Sequence, residues 1–203
     1  MSKVLIIGGG AAGMMAAVAA GENGHEVWLY EKNDRLGRKL FITGKGRCNI
    51  TNAGDMETLF ASVMSNPKFL YSSFYTFTND QVIDFFEELG VRTKIERGNR
   101  VFPLSDHSSD VIAGLKRKLE TLGVHICLET EVEKIEERDG KFQAIVLKGG
   151  QRKTGDACIV ATGGISYPAT GSTGDGYRFA KENGHQITKL YPALVPMEVR
   201  EWY

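Results

Sequence analysis

The sequence is poor in cysteine and contains no cysteine framework. Only Cys48, Cys127 and Cys158 occur among 203 residues, and no two of them form a C-x-x-C pair. Cys127 and Cys158 stand inside apolar, strand-like runs, which predicts inert buried thiols. An odd number of cysteines without a framework is typical of a reducing compartment, so we expect a cytoplasmic protein.

Long hydrophobic runs and metal-ligand clusters are missing as well. No stretch reaches the roughly 18 uninterrupted apolar residues that indicate a membrane helix, so we predict no membrane span. The apolar N-terminal stretch is interrupted by glycines at positions 8–10 and continues into a strand pattern, which predicts mature structure and not a removed leader. The histidines and cysteines show no metal-ligand spacing, so we expect no metal site.

Neither sign of charge is in excess. Lys plus Arg number 25 and Asp plus Glu number 25, so the formal net charge is zero. This balance argues against a general nucleic-acid binder and against a polybasic membrane protein. We therefore expect a small-molecule partner, no nucleic acid and no membrane, and the oligomeric state stays open.

Glycine is the residue that the sequence has in abundance. Its 24 glycines are concentrated in the stretches IIGGGAAG, ITGKGRC and ATGGISYPATGSTGDG. Clustered glycine marks backbone that turns tightly or approaches a ligand closely. These three stretches are therefore the first places to look for a site.

The order of the predicted elements indicates an α/β protein. Strand-like runs cover 3–8, 26–31, 124–129 and 156–164, and helix-like segments cover 11–23, 79–90, 108–123 and 174–185. Residues 55–122 are predicted to be a largely helical excursion in which Asn79 caps a helix. Residues 130–154 are predicted to form an antiparallel meander with a hairpin at Asp139-Gly140.

The first glycine cluster matches the dinucleotide-binding pattern G-x-G-x-x-G, directly after a predicted strand and directly before a helix. Gly8 makes the tight turn, Gly10 lets a pyrophosphate approach the backbone, and Gly13 lets the helix and the strand pack closely. The first helical residues, Ala11 and Ala12, supply free N–H groups to the anion.

An acidic residue completes this pattern. Glu31 ends the second predicted strand roughly 20 positions after the fingerprint, where a carboxylate accepts hydrogen bonds from ribose hydroxyls. An acid at this place disfavours a 2′-phosphate, so we do not expect NADP there. Its neighbour Lys32 is also predicted to bind the cofactor.

Both FAD and NAD use this fingerprint, and the element order favours FAD. A long excursion followed by a meander resembles the two-dinucleotide-binding flavoproteins of the glutathione-reductase type, whereas an NAD dehydrogenase more often continues with regular βαβ units. In those flavoproteins the backbone at the position of Val132 meets the adenine. The strand-ending residues Ala161, Thr162 and Gly163 would let the chain pass close to FAD.

The third glycine cluster resembles fumarate-reductase and ketosteroid-dehydrogenase flavoproteins, which also carry ATGG followed by TGDG. Asp175 stands at the start of the helix that follows. Its carboxylate either complements the helix dipole or takes part in catalysis. The sequence does not decide between these roles and identifies no catalytic residue.

Four stretches together resemble the BaiN-like (YhiN-type) flavoprotein family, which includes aminoacetone oxidase: GGGAAGMMAA, YEKNDRLGRKLFITGKGRCNITN, NRVFPLSD and ATGGISYPATGSTGDGYRFAKENGH. The resemblance covers essentially the whole chain. It implies bound FAD and an oxidoreductase that transfers hydride on a small organic substrate of the amine, ketone or enone class, with NAD(P)H as a candidate transient donor. The alternative is an FAD- or NAD-binding module without catalysis, used in redox sensing or partner binding.

The resemblance also implies roles for residues that follow the second strand. Arg38 and Lys39 would contact the phosphate or ribityl region of the cofactor, or else form a solvated basic face. Asn49 and Thr51 would lie near the flavin, or else hold only the backbone of their own loop. Gly46 would allow close approach, so a bulky replacement is expected to reduce FAD occupancy.

The loop GKGRCNITN, residues 44–52, also admits interpretations that fail on inspection. A P-loop needs glycine at position 39 and Ser or Thr directly after Lys45, and neither is present. The glycosylation sequon at Asn49 has no meaning without export. Cys48 stays open as a reactive thiol because Arg47 could lower its pKa, although no resolving cysteine lies nearby.

The chain is short for the family that it resembles. Members of that family run to about twice this length, with a substrate-side domain inserted into the FAD domain. We therefore expect an N-terminal fragment with an incomplete FAD domain. Residues 1–196 would be the first part of a discontinuous FAD-binding domain, and residues 197–203 the start of the inserted domain.

Overall fold

The computed structural model describes residues 1–192. Their strands are β1 (Lys3–Ile7), β2 (Glu26–Tyr30), β3 (Thr51–Asn52), β4 (Thr93–Glu96), β5 (Arg100–Pro103), β6 (His125–Cys127), β7 (Val132–Arg138), β8 (Lys141–Leu147), β9 (Arg152–Thr154) and β10 (Ala157–Val160). Their α-helices are α1 (Ala11–Glu22), α2 (Arg38–Ile42), α3 (Met56–Ala61), α4 (Tyr71–Thr76), α5 (Asn79–Glu88), α6 (Ser108–Thr121) and α7 (Asp175–Glu182). Short 3₁₀ turns lie at Thr43–Gly46, Pro67–Leu70 and Pro168–Thr170.

A four-stranded parallel sheet forms the centre of the structure. Its strands lie in the order β10-β1-β2-β6, and each neighbouring pair is parallel. Parallel neighbours need long connections, and here the helix α1, the excursion and the meander provide them. The carboxyl ends of β10, β1 and β2 therefore meet at one edge of the sheet.

Alternate residues of β1 face opposite layers. Val4 and Ile6 belong to a buried cluster with residues of α1 and α6, whereas Leu5 and Ile7 belong to a second cluster with residues of the meander. A strand that is buried on both faces needs an uninterrupted apolar sequence, which explains the run VLII at residues 4–7. Helices thus cover one face of the parallel sheet and an antiparallel sheet covers the other.

The predicted meander at 130–154 is present. Strands β7, β8 and β9 pair antiparallel in that order, and the β7–β8 hairpin turns at Asp139 and Gly140. Both turn residues have positive φ, 54° and 72°, as a two-residue hairpin of the primed type requires. The hairpin prediction made from the Asp-Gly pair is confirmed.

The excursion at 55–122 is less helical than predicted. A second antiparallel sheet, in the order β3-β5-β4, lies partly within it. β4 and β5 have only four residues each and show no regular alternation of apolar and polar side chains. A strand of this kind has no periodic pattern that the sequence analysis could detect.

The predicted cap of α5 is wrong by one residue. Thr78, not Asn79, is the N-cap: its side chain accepts from the N–H of Gln81, and the Gln81 side chain accepts from the N–H of Thr78. This reciprocal capping box satisfies two backbone donors at once. Asn79 instead donates from its amide to the carbonyl oxygens of Asn52 and Gly54, which fastens α5 to β3.

Within residues 1–192, no helix combines the length and the apolar character that crossing a bilayer requires. The predicted start of an inserted domain at 197–203, and the end of the preceding segment at 193–196, lie outside the described residues.

Candidate functional site

A cavity of about 520 Å³ opens at the carboxyl ends of β1, β2 and β10, the edge at which α/β sheets bind ligands. Most of the predicted cofactor-binding residues line it: Gly8, Gly10, Ala11, Ala12, Glu31, Lys32, Arg38, Lys39, Val132, Ala161, Thr162 and Gly163. Other lining residues were not singled out from the sequence: Asn33, Thr43, Glu131, Thr170, Ser172 and Phe179. Residue types of this kind occur in many loops and helices without any role in binding. Only the fold shows that these six residues line the cavity.

Two glycines of the fingerprint, Gly8 and Gly13, stand where a side chain would overlap neighbouring backbone atoms. Gly8 has a φ of 108°, and a Cβ there would lie 2.5 Å from the carbonyl oxygen of Ala161. Gly13 does not line the cavity, and a Cβ there would lie 1.7 Å from the carbonyl oxygen of Gly8. A Cβ on Gly10 would meet nothing within 4 Å, since this residue borders the open cavity.

Glu31 is buried at the end of β2, and the protein itself engages both of its oxygens. Oε2 accepts a hydrogen bond from the N–H of Gly9 at 2.7 Å. Oε1 accepts from the backbone N–H of Asn33 at 2.8 Å and from the Asn33 side-chain amide at 2.5 Å. The carboxylate thus ties the glycine turn to the segment after β2. Its contact with a ribose stays a prediction.

Lys32 and Asp175 join two walls of the cavity. Lys32 Nζ lies 2.6 Å from Asp175 Oδ2 and 2.7 Å from Thr173 Oγ1. Burial alone would raise the pKa of Asp175, but hydrogen bonds from Lys32 and Thr173 outweigh it, so this pKa is lowered. Asp175 lies in the first turn of α7, where a carboxylate complements the helix dipole. A catalytic role for it stays a hypothesis.

Arg38 and Lys39 project from α2, a short helix that begins after Gly37 in the left-handed conformation (φ 70°). Arg38 Nη1 donates to the side-chain oxygen of Asn33 at 2.8 Å, and Lys39 Nζ contacts Ser166 Oγ at 3.3 Å. In the described part of the chain neither cation has a carboxylate within 4.0 Å. Both line the cavity, and their contact with a cofactor stays a prediction.

Two features of the cavity fit a dinucleotide. The N-terminus of α1 has no side-chain cap and no acidic residue in its first turn, so its N–H groups are available to a pyrophosphate. Arg38 and Lys39 line the same cavity and supply positive charge for a phosphate. The hydroxyl of Thr162 has no hydrogen-bond partner among the described residues, but it is buried against Gly176 of α7, where an added Cβ would lie 2.7 Å away, and does not open into the cavity. No three His, Cys, Asp or Glu side chains in residues 1–192 are arranged to hold a metal ion.

The loop at 44–52 does not reach this cavity. Gly46, Asn49 and Thr51 are not among the residues that line it. Thr51 pairs with Val101 in the β3–β5 ladder. In the amide orientation that pairs donors with acceptors, Asn49 donates to the carbonyl oxygens of Thr51 (2.9 Å) and Val101 (3.2 Å). These contacts support the alternative in which the loop's polar residues hold its own backbone, and their predicted proximity to a flavin stays a prediction.

The alternative that the sequence leaves open, in which Arg47 lowers the pKa of Cys48, is not supported by the structure. Cys48 is buried, and burial raises the pKa of its thiol. The Arg47 guanidinium is turned towards Glu96 and Asp106 and stacks over the ring of Phe102 at 4.2 Å. Burial likewise raises the pKa of Cys127, and that of Cys158 to about 12. All three thiols are thus poor nucleophiles at neutral pH.

Arg47, Lys94, Glu96 and Asp106 form an ion cluster that fastens the loop to β4 and to the turn after β5. Hydrogen bonds from Arg47 lower the pKa of Glu96, and hydrogen bonds from Lys94 and Arg47 lower that of Asp106. Because these folded-state pKa values are depressed, the stabilisation is present above the ordinary carboxyl pKa of about 4 and is lost as pH falls through the lowered values.

The variant Arg47→Met is therefore expected to be less stable than the unmodified chain at pH 7, with a smaller difference at pH 3. Urea denaturation at both pH values measures this difference. Arg138→Met, which removes an exposed cation 3.8 Å from Asp139 in the β7–β8 hairpin, is the control and should show almost no difference at either pH. An equal difference for Arg47→Met at pH 7 and pH 3 would contradict an electrostatic role for the cluster.

A glycine turn beneath a helix N-terminus, beside a buried acid on the neighbouring strand, defines a dinucleotide-binding domain of the Rossmann type. Comparison with known families agrees, since residues 2–191 match the HI0933-like protein Rossmann domain. The chain belongs to this family. The predicted resemblance to BaiN-like flavoproteins is confirmed.

Two relatives show how far the similarity extends. The chain is 34% identical to the 3-dehydro-bile acid delta(4,6)-reductase of Clostridium scindens, over 99% of this chain and 48% of that protein. It is 30% identical to the ribosomal RNA dihydrouridine synthase of Haemophilus influenzae, over 98% of this chain and 50% of that protein. The chain spans about half the length of the curated relatives it matches.

Solved structures share the fold at low sequence identity. The Mycobacterium smegmatis Sdh1 complex in its apo form matches 90% of this chain and 39% of the matched chain, with a TM-score of 0.69 and 22% identity. A second match is the open conformation of a flavocytochrome c3 fumarate reductase, with a TM-score of 0.62 and 22% identity. The matched region covers 90% of this chain and 40% of the fumarate reductase chain. The predicted α/β fold, with its parallel sheet and antiparallel meander, is confirmed.

The predicted exclusion of nucleic acid is not supported. Relatives from Haemophilus influenzae and Escherichia coli are named ribosomal RNA dihydrouridine synthase. Zero net charge is a sum over the chain and does not describe where charges lie, and about half of each relative has no counterpart here. Charge balance therefore cannot decide between a small molecule and an RNA substrate.

Proposed function

We propose that this chain binds FAD and provides the cofactor-binding part of a flavin-dependent oxidoreductase. The observation that carries the proposal is the cavity of about 520 Å³ in which the uncapped N-terminus of α1, the buried Glu31 and the cations Arg38 and Lys39 meet. The helix N-terminus and the cations are suited to a pyrophosphate, and Glu31 is suited to a ribose.

The chain's own residues would bind and orient the cofactor. The first N–H groups of α1 would hold the pyrophosphate, with Arg38 and Lys39 adding positive charge. The backbone at Val132 would pass the adenine, and Ala161 to Gly163 would border the opposite side of the cavity. FAD, when bound, supplies the capacity to accept and donate hydride. No residue of this chain is assigned as a catalytic acid or base.

We propose that the substrate contains a carbon–carbon double bond conjugated to a carbonyl group, and that this double bond is reduced. The names of the two relatives support this choice, since a delta(4,6)-reductase of a 3-dehydro compound and a dihydrouridine synthase both saturate such a bond. A reduced nicotinamide, NADH or NADPH, would supply the electrons. This substrate class covers both a free small molecule and a base in RNA.

The alternative is a dinucleotide-binding module without catalysis. The same cavity serves both functions, so the two differ only in whether the bound cofactor can be reduced. Mixing the FAD-loaded protein with NADH, NADPH and then dithionite discriminates between them. Bleaching of the flavin absorption band by a nicotinamide supports the oxidoreductase, and a band that resists all three reductants supports the module.

Lys39→Gln is expected to weaken FAD binding about tenfold without lowering the melting temperature, because it removes a positive charge that would face the cofactor's phosphates. Lys39 lines the cavity, and within residues 1–192 its ammonium group has only the 3.3 Å contact with Ser166 Oγ, so folding loses little. Titration of the purified chain with FAD, followed by absorbance, fluorescence and calorimetry, measures the affinity. Lys153→Gln, which removes the same charge in the outer strand of the meander and away from the cavity, is the control. Failure of the unmodified chain to bind FAD would overturn the proposal.

A further inference from the structure

A second concavity, of about 470 Å³, lies between the end of α5, the turn after β5 and the helix α6. It shares no lining residue with the cavity at the carboxyl ends of the parallel strands. Its volume falls within the range of roughly 300–1,000 Å³ that is common for small-molecule sites.

Two arginines from different elements converge on this concavity. Arg92 lies between α5 and β4, and Arg117 lies in α6, so only the tertiary fold brings them together. Within residues 1–192 neither guanidinium has a carboxylate within 4.0 Å. The cations Arg47 and Lys94, by contrast, each contact two carboxylates. Asp110 shares the concavity, and Glu87 lies near Arg92, but its Oε1 accepts hydrogen bonds from Thr93. Since neither arginine is ion-paired, both keep N–H groups available to an anion between them.

The donors of this site are partly held in place. Arg117 Nη2 donates to the carbonyl oxygen of Leu89 at 3.0 Å, which orients the guanidinium and leaves its other N–H groups available. The hydroxyl of Ser105 accepts from the N–H of His107 at 3.3 Å, so its own proton remains available for donation. Guanidinium and hydroxyl donors together match the oxygens of a phosphate group.

The rest of the concavity is lined by an acidic residue and by apolar residues. The carboxylate of Asp110 faces the same concavity more than 4.0 Å from either guanidinium, and it can accept hydrogen bonds from a ligand. Leu104 also lines the concavity and is 48% exposed, so a ligand would cover apolar surface there. Inorganic phosphate would use the arginines alone, whereas a phosphate ester with hydroxyl groups would use both walls.

We propose that this concavity binds the phosphate monoester of a hydroxylated small molecule. The phosphate lies between Arg92 and Arg117 with a hydrogen bond from Ser105, and a hydroxyl group of the ligand donates to Asp110. The site is independent of FAD, so its test does not depend on the proposed function.

Isothermal titration of the full chain with ribose 5-phosphate and with inorganic phosphate, at constant ionic strength, tests this proposal. Ribose 5-phosphate should bind more tightly than inorganic phosphate. Arg92→Gln should weaken the binding of both probes about tenfold, since it removes charge-assisted hydrogen bonds. Arg92 makes no side-chain hydrogen bond within the described residues, so this variant should keep the fold, whereas Arg117→Gln also loses the bond to Leu89.

Two further variants separate the parts of the proposal. Asp110→Leu should weaken the binding of ribose 5-phosphate and not that of inorganic phosphate, because leucine has no oxygen that could accept from the ligand's hydroxyl group. Lys116→Gln removes the same charge from the residue beside Arg117, which pairs with Glu120 at 3.8 Å and does not line the concavity, and it should change either affinity by less than about twofold. Absence of binding, equal affinities for the two probes, or equal losses in Lys116→Gln and Arg92→Gln would each overturn the proposal.

Discussion

Gly13→Ala is expected to lower the free energy of unfolding by about 3 kcal/mol or more, because a Cβ added there makes a shorter contact than at any other glycine of the chain. The added Cβ would lie 1.7 Å from the carbonyl oxygen of Gly8 and 2.9 Å from its carbonyl carbon. Both atoms belong to the backbone at the end of β1, so no side-chain rotation can relieve the overlap. The helix α1 would have to move away from the sheet, and its buried residues Met14 and Val18 would lose their packing.

Gly10→Ala is the matched control in the same turn. Gly10 has an extended backbone (φ −79°), which alanine adopts readily, and a Cβ there meets nothing within 4 Å. Its methyl group would point into the open cavity, so we expect stability to change by less than about 1 kcal/mol while FAD affinity falls. Urea denaturation and FAD titration of both variants separate the two roles. A Gly13→Ala protein as stable as Gly10→Ala would contradict the packing described for α1 and β1.

Glu31→Gln is expected to cost about 2–3 kcal/mol of stability, even before any cofactor is considered. Both carboxylate oxygens accept hydrogen bonds from N–H donors, Gly9 on one side and Asn33 on the other. A glutamine has only one oxygen, so its NH₂ group must face one of these donors. The mismatch is buried, where water cannot replace the lost partner.

Glu26→Gln, at the other end of β2, provides the comparison. One of its oxygens accepts from the Trp28 indole at 2.7 Å, and a glutamine oxygen can do the same. The carboxylate is half-buried and lies 3.9 Å from Lys3 Nζ, a weak ion pair, so we expect a loss of less than about 0.5 kcal/mol. Chemical denaturation of the two variants without FAD gives the difference directly. Equal losses would show that the buried carboxylate at β2 does not hold the glycine turn.

The part of the site that could be predicted from the sequence is the part formed by backbone geometry. The glycine pattern and Glu31 identify a strand, a tight turn, a helix and an acid on the next strand, because each position serves a local constraint. Ala161 and Thr162 follow in the same way from a buried strand that ends in glycine. The cavity brings these residues together, as their order along the chain predicts.

Contacts between distant segments could not be predicted in this way. The sequence indicates that Arg47 stands beside Cys48, but only the fold shows that its guanidinium turns towards Glu96 and Asp106. Four-residue strands such as β4 and β5 are specified by the chain that pairs with them and not by a periodic pattern. The loop at 44–52 is rich in glycine because of its own left-handed turns, and this composition resembles that of a ligand loop.

The parallel pairing of β1 with β10 has a consequence for the order of folding. Val4 pairs with Ala157, and the segment after β10 provides Thr162 beside Gly8, so the two sides of the cleft are made at opposite ends of the described chain. At a synthesis rate of about 5–20 residues per second, β1 and α1 leave the ribosome well before β10 exists. Until then β1 has an unpaired edge, and closing so long a loop is slow. The proposed cofactor site is therefore completed late in the biogenesis of this chain.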